Sequence, residues 1–241
     1  MRGRRDNWAG MDCVLVEGDR PPDFAVLLCH GYGAPATDLV DLAPALADCD
    51  HSLADVGYVF PAGVMSLADE GLEGGRAWWP IDMYELMEAI QFGRMRDLRQ
   101  MCPPELPELR QRMVALIAEV EKQWNLPAGR VVIGGFSQGA MLTTAVALQE
   151  DVELAGVAAI SGTLLCEHQW REAAAKKKGL QVFQSHGRVD PILPYANAEA
   201  LRDLLLETEQ QVEFLPFQGQ HEIPRAIVER LAAWLSVRRG C

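Results

Sequence analysis

Short apolar runs that end at glycine or proline alternate along this chain with apolar stripes of helical period. Residues 24–29 (Phe-Ala-Val-Leu-Leu-Cys), 57–60, 130–134, 155–160 and 180–184 lack polar alternation, which suits strands buried on both faces of a parallel sheet. Residues 212–216 read as one further strand. Between the runs, Met113, Leu116, Ile117, Val120 and Trp124 recur at helical spacing until Asn125-Leu126-Pro127 stops them. Ile227, Val228, Leu231, Trp234 and Leu235 form a second stripe behind Pro224, a residue suited to a first helical turn. This alternation predicts a three-layer α/β fold with a mostly parallel central sheet, read as a single domain over 1–241. Ligands bind such sheets beyond the carboxyl ends of the strands, so the loops there are where chemistry is expected.

One of those loops carries Gly135-Phe136-Ser137-Gln138-Gly139, placed between the strand 130–134 and a helix-like run 140–145. A turn tight enough to lift a serine clear of the sheet leaves no room for Cβ atoms two residues either side of it. It also points a helix N-terminus at the hydroxyl. A serine attacks only when a base takes its proton and a third group orients that base. Of five histidines, His221 follows the last candidate strand in Gln218-Gly219-Gln220-His221-Glu222. His168 lies in a polar helical stretch and is expected to have no role, and His186, at a strand end, is read as a structural hydrogen-bonding residue. Asp190, in the loop after strand 180–184, is the acid that can reach across to His221, whereas Glu199 and Asp203 fall on a solvated helical face. An oxyanion needs backbone donors. The N–H of Gln138 is one, and the N–H of Tyr32 in Cys29-His30-Gly31-Tyr32-Gly33 is the other.

Residues 31–36 also fit G-x-G-x-x-A, as a dinucleotide-binding turn would. However, Pro35 and Asp38-Leu39-Val40 delay the helix start, and the next strand ends in Phe60-Pro61 without an acid for a ribose. A nucleotide-dependent oxidoreductase is therefore the weakest of three readings. A serine hydrolase stands first and a non-catalytic ligand-binding protein on the same fold second.

Taken together, His30-Gly31-Tyr32-Gly33, residues 134–140, Ser185-His186-Gly187-x-x-Asp190-Pro191 and Gly219-Gln220-His221-Glu222-Ile223 resemble the phospholipase/carboxylesterase family of α/β-hydrolases, which includes the acyl-protein thioesterases. The resemblance implies an α/β-hydrolase fold and hydrolysis of carboxylic esters or thioesters through a covalent acyl-enzyme, with no cofactor and no metal. It implies Ser137 as nucleophile, His221 as base, Asp190 as orienting acid, and Tyr32 and Gln138 as the oxyanion hole. The chain departs from the family's usual His-Gly-Leu-Gly-Asp, carrying Tyr32 and Ala34 there and Asp38 later. The segment 76–104 is longer and more aromatic than in the smaller thioesterases, with Trp78, Trp79, Met83, Tyr84, Met87, Met95 and Met101. It is expected to supply a substrate loop or lid, with Trp78 and Trp79 as substrate-binding residues.

Charge narrows the partners. With 22 Lys and Arg against 34 Asp and Glu, the net charge of −12 disfavours nucleic acid. The expected partner is a small-molecule or acylated substrate. Lys176-Lys177-Lys178 is read as a solvated helix end. No apolar run reaches the roughly 18 to 20 residues of a membrane span. The basic start Met-Arg-Gly-Arg-Arg is followed by Asp6-Asn7-Trp8-Ala9-Gly10 rather than an apolar signal core. Cys13, Cys29, Cys49, Cys102, Cys166 and Cys241 form no C-x-x-C pair, and Cys29 reads as a small core residue. A soluble protein of the reducing cytoplasm is expected.

Overall fold

The computed structural model describes residues 1–92 and 97–240, so Met95 and Cys241 lie outside the described residues. In chain order the elements are β1 (Arg2–Trp8), β2 (Met11–Glu17), β3 (Ala25–Cys29), α1 (Leu42–Cys49), β4 (Gly57–Pro61), β5 (Met65–Ser66), β6 (Arg76–Ala77), α2 (Met83–Gln91), α3 (Leu106–Trp124), β7 (Val131–Phe136), α4 (Gln138–Gln149), β8 (Gly156–Ile160), α5 (Glu167–Ala174), β9 (Gln181–Gly187), α6 (Tyr195–Glu207), β10 (Gln211–Phe217) and α7 (Arg225–Gly240).

Eight strands form one sheet in the order β1-β2-β4-β3-β7-β8-β9-β10. The six strands expected from the apolar runs, β4-β3-β7-β8-β9-β10, are mutually parallel, and β2 joins β4 antiparallel. One face is covered by α1 and α7, the other by α3, α4, α5 and α6, which gives the two apolar layers of a three-layer sandwich. Every residue of β3, β4 and β8 is buried, as strands covered on both faces must be. α4 is buried from Gln138 to Leu148, so the element after Gly135–Gly139 runs through the middle of the protein.

The helical stripes sit where their spacing put them. Leu109, Met113, Leu116, Ile117 and Val120 bury one face of α3. Asn125 ends it in a left-handed conformation (φ 51°, ψ 43°), and the Leu126 N–H closes back onto Glu121 O at 2.8 Å. Pro224 stands just before α7 rather than in its first turn, its carbonyl accepting from the N–H groups of Ile227 and Val228.

Two further features depart from the sequence reading. The N-terminal segment is a hairpin, β1–β2, turned at Ala9 and Gly10, both at positive φ (50° and 77°). Trp124 docks on it, edge to face with Trp8 at 5.2 Å and donating its indole N–H to Glu17 at 2.9 Å. Lys177 is not solvated as expected. Its ammonium donates to Ala147 O at 3.0 Å and to Glu150 O, capping the carbonyl end of α4, and burial pulls its pKa down. Among the described residues no helix is long and apolar enough to cross a membrane.

Candidate active site

The turn at Ser137 is built by exclusion of side-chain volume. A Cβ on Gly135 would lie 2.6 Å from the carbonyl carbon of Gly139, and one on Gly139 would lie 2.6 Å from His30 O and closer still to Cys29 O. Backbone cannot give way there as a flexible side chain could. The serine takes the strain, at φ 57° and ψ −117°, a conformation costing on the order of 1–3 kcal/mol for a residue with a Cβ. Its N–H donates to Ile160 O of β8 at 2.9 Å, and its carbonyl accepts from Met141 N–H inside α4. The hydroxyl is left at the N-terminus of that helix, where the dipole favours negative charge.

His221 lies in the loop between β10 and α7, its ring 4.7 Å from that of Phe136, the residue before the serine. Its Nδ1 donates to Asp190 Oδ2 at 2.6 Å. Asp190 Oδ1 accepts the N–H groups of Ile192 and Leu193 at 2.8 and 2.9 Å, so both carboxylate oxygens are engaged and the side chain is fully buried. Burial pushes the Asp190 carboxyl up, but hydrogen bonds from His186 and His221, the His221 charge and the Leu193 N–H outweigh it and hold it well below the usual carboxylate range. The two loops are tied by backbone bonds, Arg188 N–H to Phe217 O at 2.9 Å and Val189 N–H to Gly219 O at 3.2 Å. His168, by contrast, is exposed and lies 3.7 Å from Glu172 one helical turn on.

The loop after β3 lies against the serine, since a Cβ on Gly31 would sit 3.4 Å from Ser137 Cβ. Among the described residues the N–H groups of Tyr32 and Gln138 donate to no acceptor within the chain, and both residues line one cavity with Ser137 and His221. That loop is fixed from several sides. Gly33 N–H donates to Arg76 O and Arg76 N–H to Ala34 O, at 2.9 and 3.1 Å. The Tyr32 hydroxyl donates to Glu70 at 2.9 Å, and burial together with that carboxylate pushes its pKa up to about 12.

His30 closes the brace from below. Its Nδ1 donates to Gly31 O at 2.7 Å while its Nε2 accepts from Gly63 N–H at 2.9 Å. This arrangement needs a neutral ring, and burial draws the His30 pKa below its ordinary value. A group with a lowered folded pKa contributes stability that is whole above the unfolded value of about 6.5 and is lost as pH falls through the folded one. Between pH 7 and pH 5, the wild-type unfolding free energy is expected to fall more than that of His30→Gln, by at most about 1.4 kcal/mol per pH unit. Urea titrations at the two pH values check this, and equal slopes would contradict it.

Two functions of side chains escaped the sequence. The amide of Gln138 accepts from Trp78 N–H at 2.9 Å and donates to Trp79 O at 2.8 Å, clamping residues 78–79 to the start of α4. His186 reaches Asp190 as well as a backbone carbonyl. Only the Gln in Gly-Phe-Ser-Gln-Gly hinted at the first, and nothing local announced the second. Trp78 and Trp79, expected as a substrate-binding pair, part company. Trp78 is fully buried, packs against the His30 ring at 5.3 Å and donates its indole N–H to His30 O at 2.9 Å, away from the cavity. Trp79 lines it.

The cavity holds about 390 Å³. Its walls are Trp79, Pro80, Ile81, Met83, Leu86, Leu98 and Met101 from the 76–104 segment, with Met141, Ile192 and Leu193 beyond them. Ser137 and His221 stand at one side, and Asp38, Asp82 and Glu85 are its acidic lining. Among the described residues no three His, Cys, Asp or Glu side chains are grouped to hold a metal ion.

Comparison with known proteins gives this geometry a family. Residues 11–238 match the model of the phospholipase/carboxylesterase family. Acyl-protein thioesterase 1 of Eremothecium gossypii is 30% identical over 76% of this chain and 72% of its own length. That of Candida albicans is 28% identical over 81% and 83%. Among solved structures, esterase PE8 superposes with a TM-score of 0.75 over 92% of this chain and 96% of its own, at 22% identity. A carboxylesterase of Mesorhizobium loti gives 0.74 over 98% and 99%, at 17% identity. With the family model matched over residues 11–238, this protein belongs to the phospholipase/carboxylesterase family of α/β-hydrolases.

Proposed function

We propose that the protein cleaves carboxylic esters or thioesters through a covalent acyl-enzyme on Ser137. The family makes the chain an ester hydrolase, and the mechanism follows from its own residues. Ser137 Oγ attacks the substrate carbonyl while His221 Nε2 takes its proton, and Asp190 holds Nδ1 and offsets the charge that develops on the ring. The N–H groups of Tyr32 and Gln138 receive the oxyanion, each such donor being worth about 3–4 kcal/mol in the transition state. Collapse expels the alcohol or thiol with the proton from His221. Water then enters and gives a proton to His221 as its oxygen attacks the acyl carbon, and collapse releases the acid as His221 returns that proton to Ser137 Oγ. Among the described residues the Ser137 hydroxyl makes no hydrogen bond within the chain, and catalytic contacts of this kind tighten only when substrate is bound. The observation that carries the reading is the 2.6 Å His221–Asp190 pair opening on the same cavity as a strained Ser137.

The substrate's acyl part is assigned to the apolar walls from Trp79 to Leu193, and the described parts of the 76–104 segment, 76–92 and 97–104, to its covering. Each methylene moved from water into such walls is worth about 0.8 kcal/mol, or about fourfold in kcat/KM. Matched oxoesters and thioesters from acetyl to palmitoyl, with Ser137→Ala as blank, are expected to show kcat/KM rising with chain length until the cavity is filled. A preference for acetyl would contradict the assignment of those walls.

A further inference from the structure

His186 is fully buried one residue before the end of β9, and the triad reading leaves it without a role. Its Nε2 lies 2.8 Å from Leu193 O and 3.3 Å from Asp190 Oδ2, the same oxygen that accepts His221 Nδ1. The Leu193 carbonyl fixes the proton on Nε2, and Asp190 Oδ2 stands within ion-pair distance of the same N–H. The other nitrogen, Nδ1, is buried without a hydrogen-bond partner among the described residues, so it carries the lone pair. Asp190 therefore sits between two imidazole donors.

We propose that His186 is a positioning residue whose Nε2–H, shared between Leu193 O and Asp190 Oδ2, holds the Asp190 carboxylate toward His221 and limits the negative charge that His221 feels. This rests on the triad reading above. A carboxylate that donates less of its charge to the imidazole leaves His221 easier to deprotonate, which suits a base that must lose its proton again in every cycle. The Leu193 carbonyl has a second use. It belongs to the loop whose Ile192 and Leu193 N–H groups hold Asp190 Oδ1, so one ring braces both oxygens of the acid.

Other charges face this group. Arg188 lies over the Tyr195 ring at 5.0 Å, and that ring is 6.3 Å from His186. Glu222 follows His221 and accepts from Gln220 N–H, while Asp38, Asp82 and Glu85 line the cavity with His221. None of them is replaced by a change at position 186, and the Tyr195 ring loses its imidazole neighbour in the Leu, Asn and Gln variants alike, so the difference between these variants isolates the N–H of position 186.

The test is an NMR titration of the His221 ring in the full chain, paired with the pH profile of kcat/KM. In His186→Leu the His221 midpoint is expected to rise by about 0.5–1 pH unit, a fraction of the effect of one hydrogen bond lost from a charged partner because it reaches His221 through the carboxylate, with the acid limb of kcat/KM moving with it. His186→Gln places an amide N–H near the same point and is expected to return the midpoint to within about 0.2 unit of wild type. If His186→Leu does not fold, His186→Asn, whose amide is too short to reach Asp190, replaces it. An unmoved His221 midpoint in the Leu or Asn variant, or a Gln variant displaced as far as they are, overturns the proposal. Failure of the triad reading looks different: the midpoint moves, but the kcat/KM profile does not follow it.

Discussion

Ser137→Ala is expected to lower kcat by about 10⁶-fold while the melting temperature stays near that of wild type. The loss is large because the attacking oxygen itself is removed, and the base and oxyanion donors are left without a nucleophile to act on. Residual turnover of about 10³–10⁴ over water is expected from binding and the oxyanion hole alone. The fold is untouched because the Ser137 hydroxyl makes no bond within the chain among the described residues, and the strain at φ 57° belongs to any residue with a Cβ. Initial rates and thermal unfolding on the same preparation check both halves. A folded variant that keeps a tenth of wild-type activity would remove Ser137 from the chemistry.

Asp190→Asn is the second large effect, about 10⁴-fold in kcat. The asparagine oxygen can still accept from Ile192 and Leu193, so the loop keeps its shape. Its NH₂ then faces two ring nitrogens that are donors in the wild type, His221 Nδ1 and His186 Nε2. His221 must move its proton to Nε2, where it points at the serine and cannot act as base. The same substitution changes acid stability. The folded Asp190 carboxyl lies below its ordinary range, so its stabilisation is whole above the unfolded value of about 3.9 and is lost as pH falls through the folded value. Between pH 4 and pH 2 wild type is expected to lose stability more steeply than Asp190→Asn. Activity near wild type in the variant, or parallel acid-unfolding curves, would contradict the role given to Asp190.

What the sequence disclosed follows from where each residue sits. Strands β3, β4, β7 and β8 are covered on both faces, so burial writes itself into consecutive residues, and Ala25–Cys29 or Gly156–Ile160 can be recognised without neighbours. β1 is exposed from Arg2 to Asn7 and carries only Trp8 inward, so nothing in Arg-Gly-Arg-Arg-Asp-Asn marks a strand. Its turn hides too, because Ala9 adopts the positive φ that glycine or asparagine would have announced. The glycines around Ser137 were legible because the need for them is local. The Gln138 clamp spans 59 to 60 residues and the Lys177 cap reaches back 27 to 30, and separations of that size leave no period to read. Trp78 and Trp79 are neighbours in sequence, yet one packs on His30 and the other faces the cavity, a division set by backbone direction rather than by residue type.

The most direct measurement is intact-mass analysis after treatment with a fluorophosphonate, followed by mapping of the modified peptide. An activated serine at the end of β7 gives one adduct per chain, on Ser137, and Ser137→Ala gives none. A folded wild-type protein that stays unlabelled would be a binding protein on a hydrolase fold, and an adduct that persists in Ser137→Ala would place the nucleophile elsewhere.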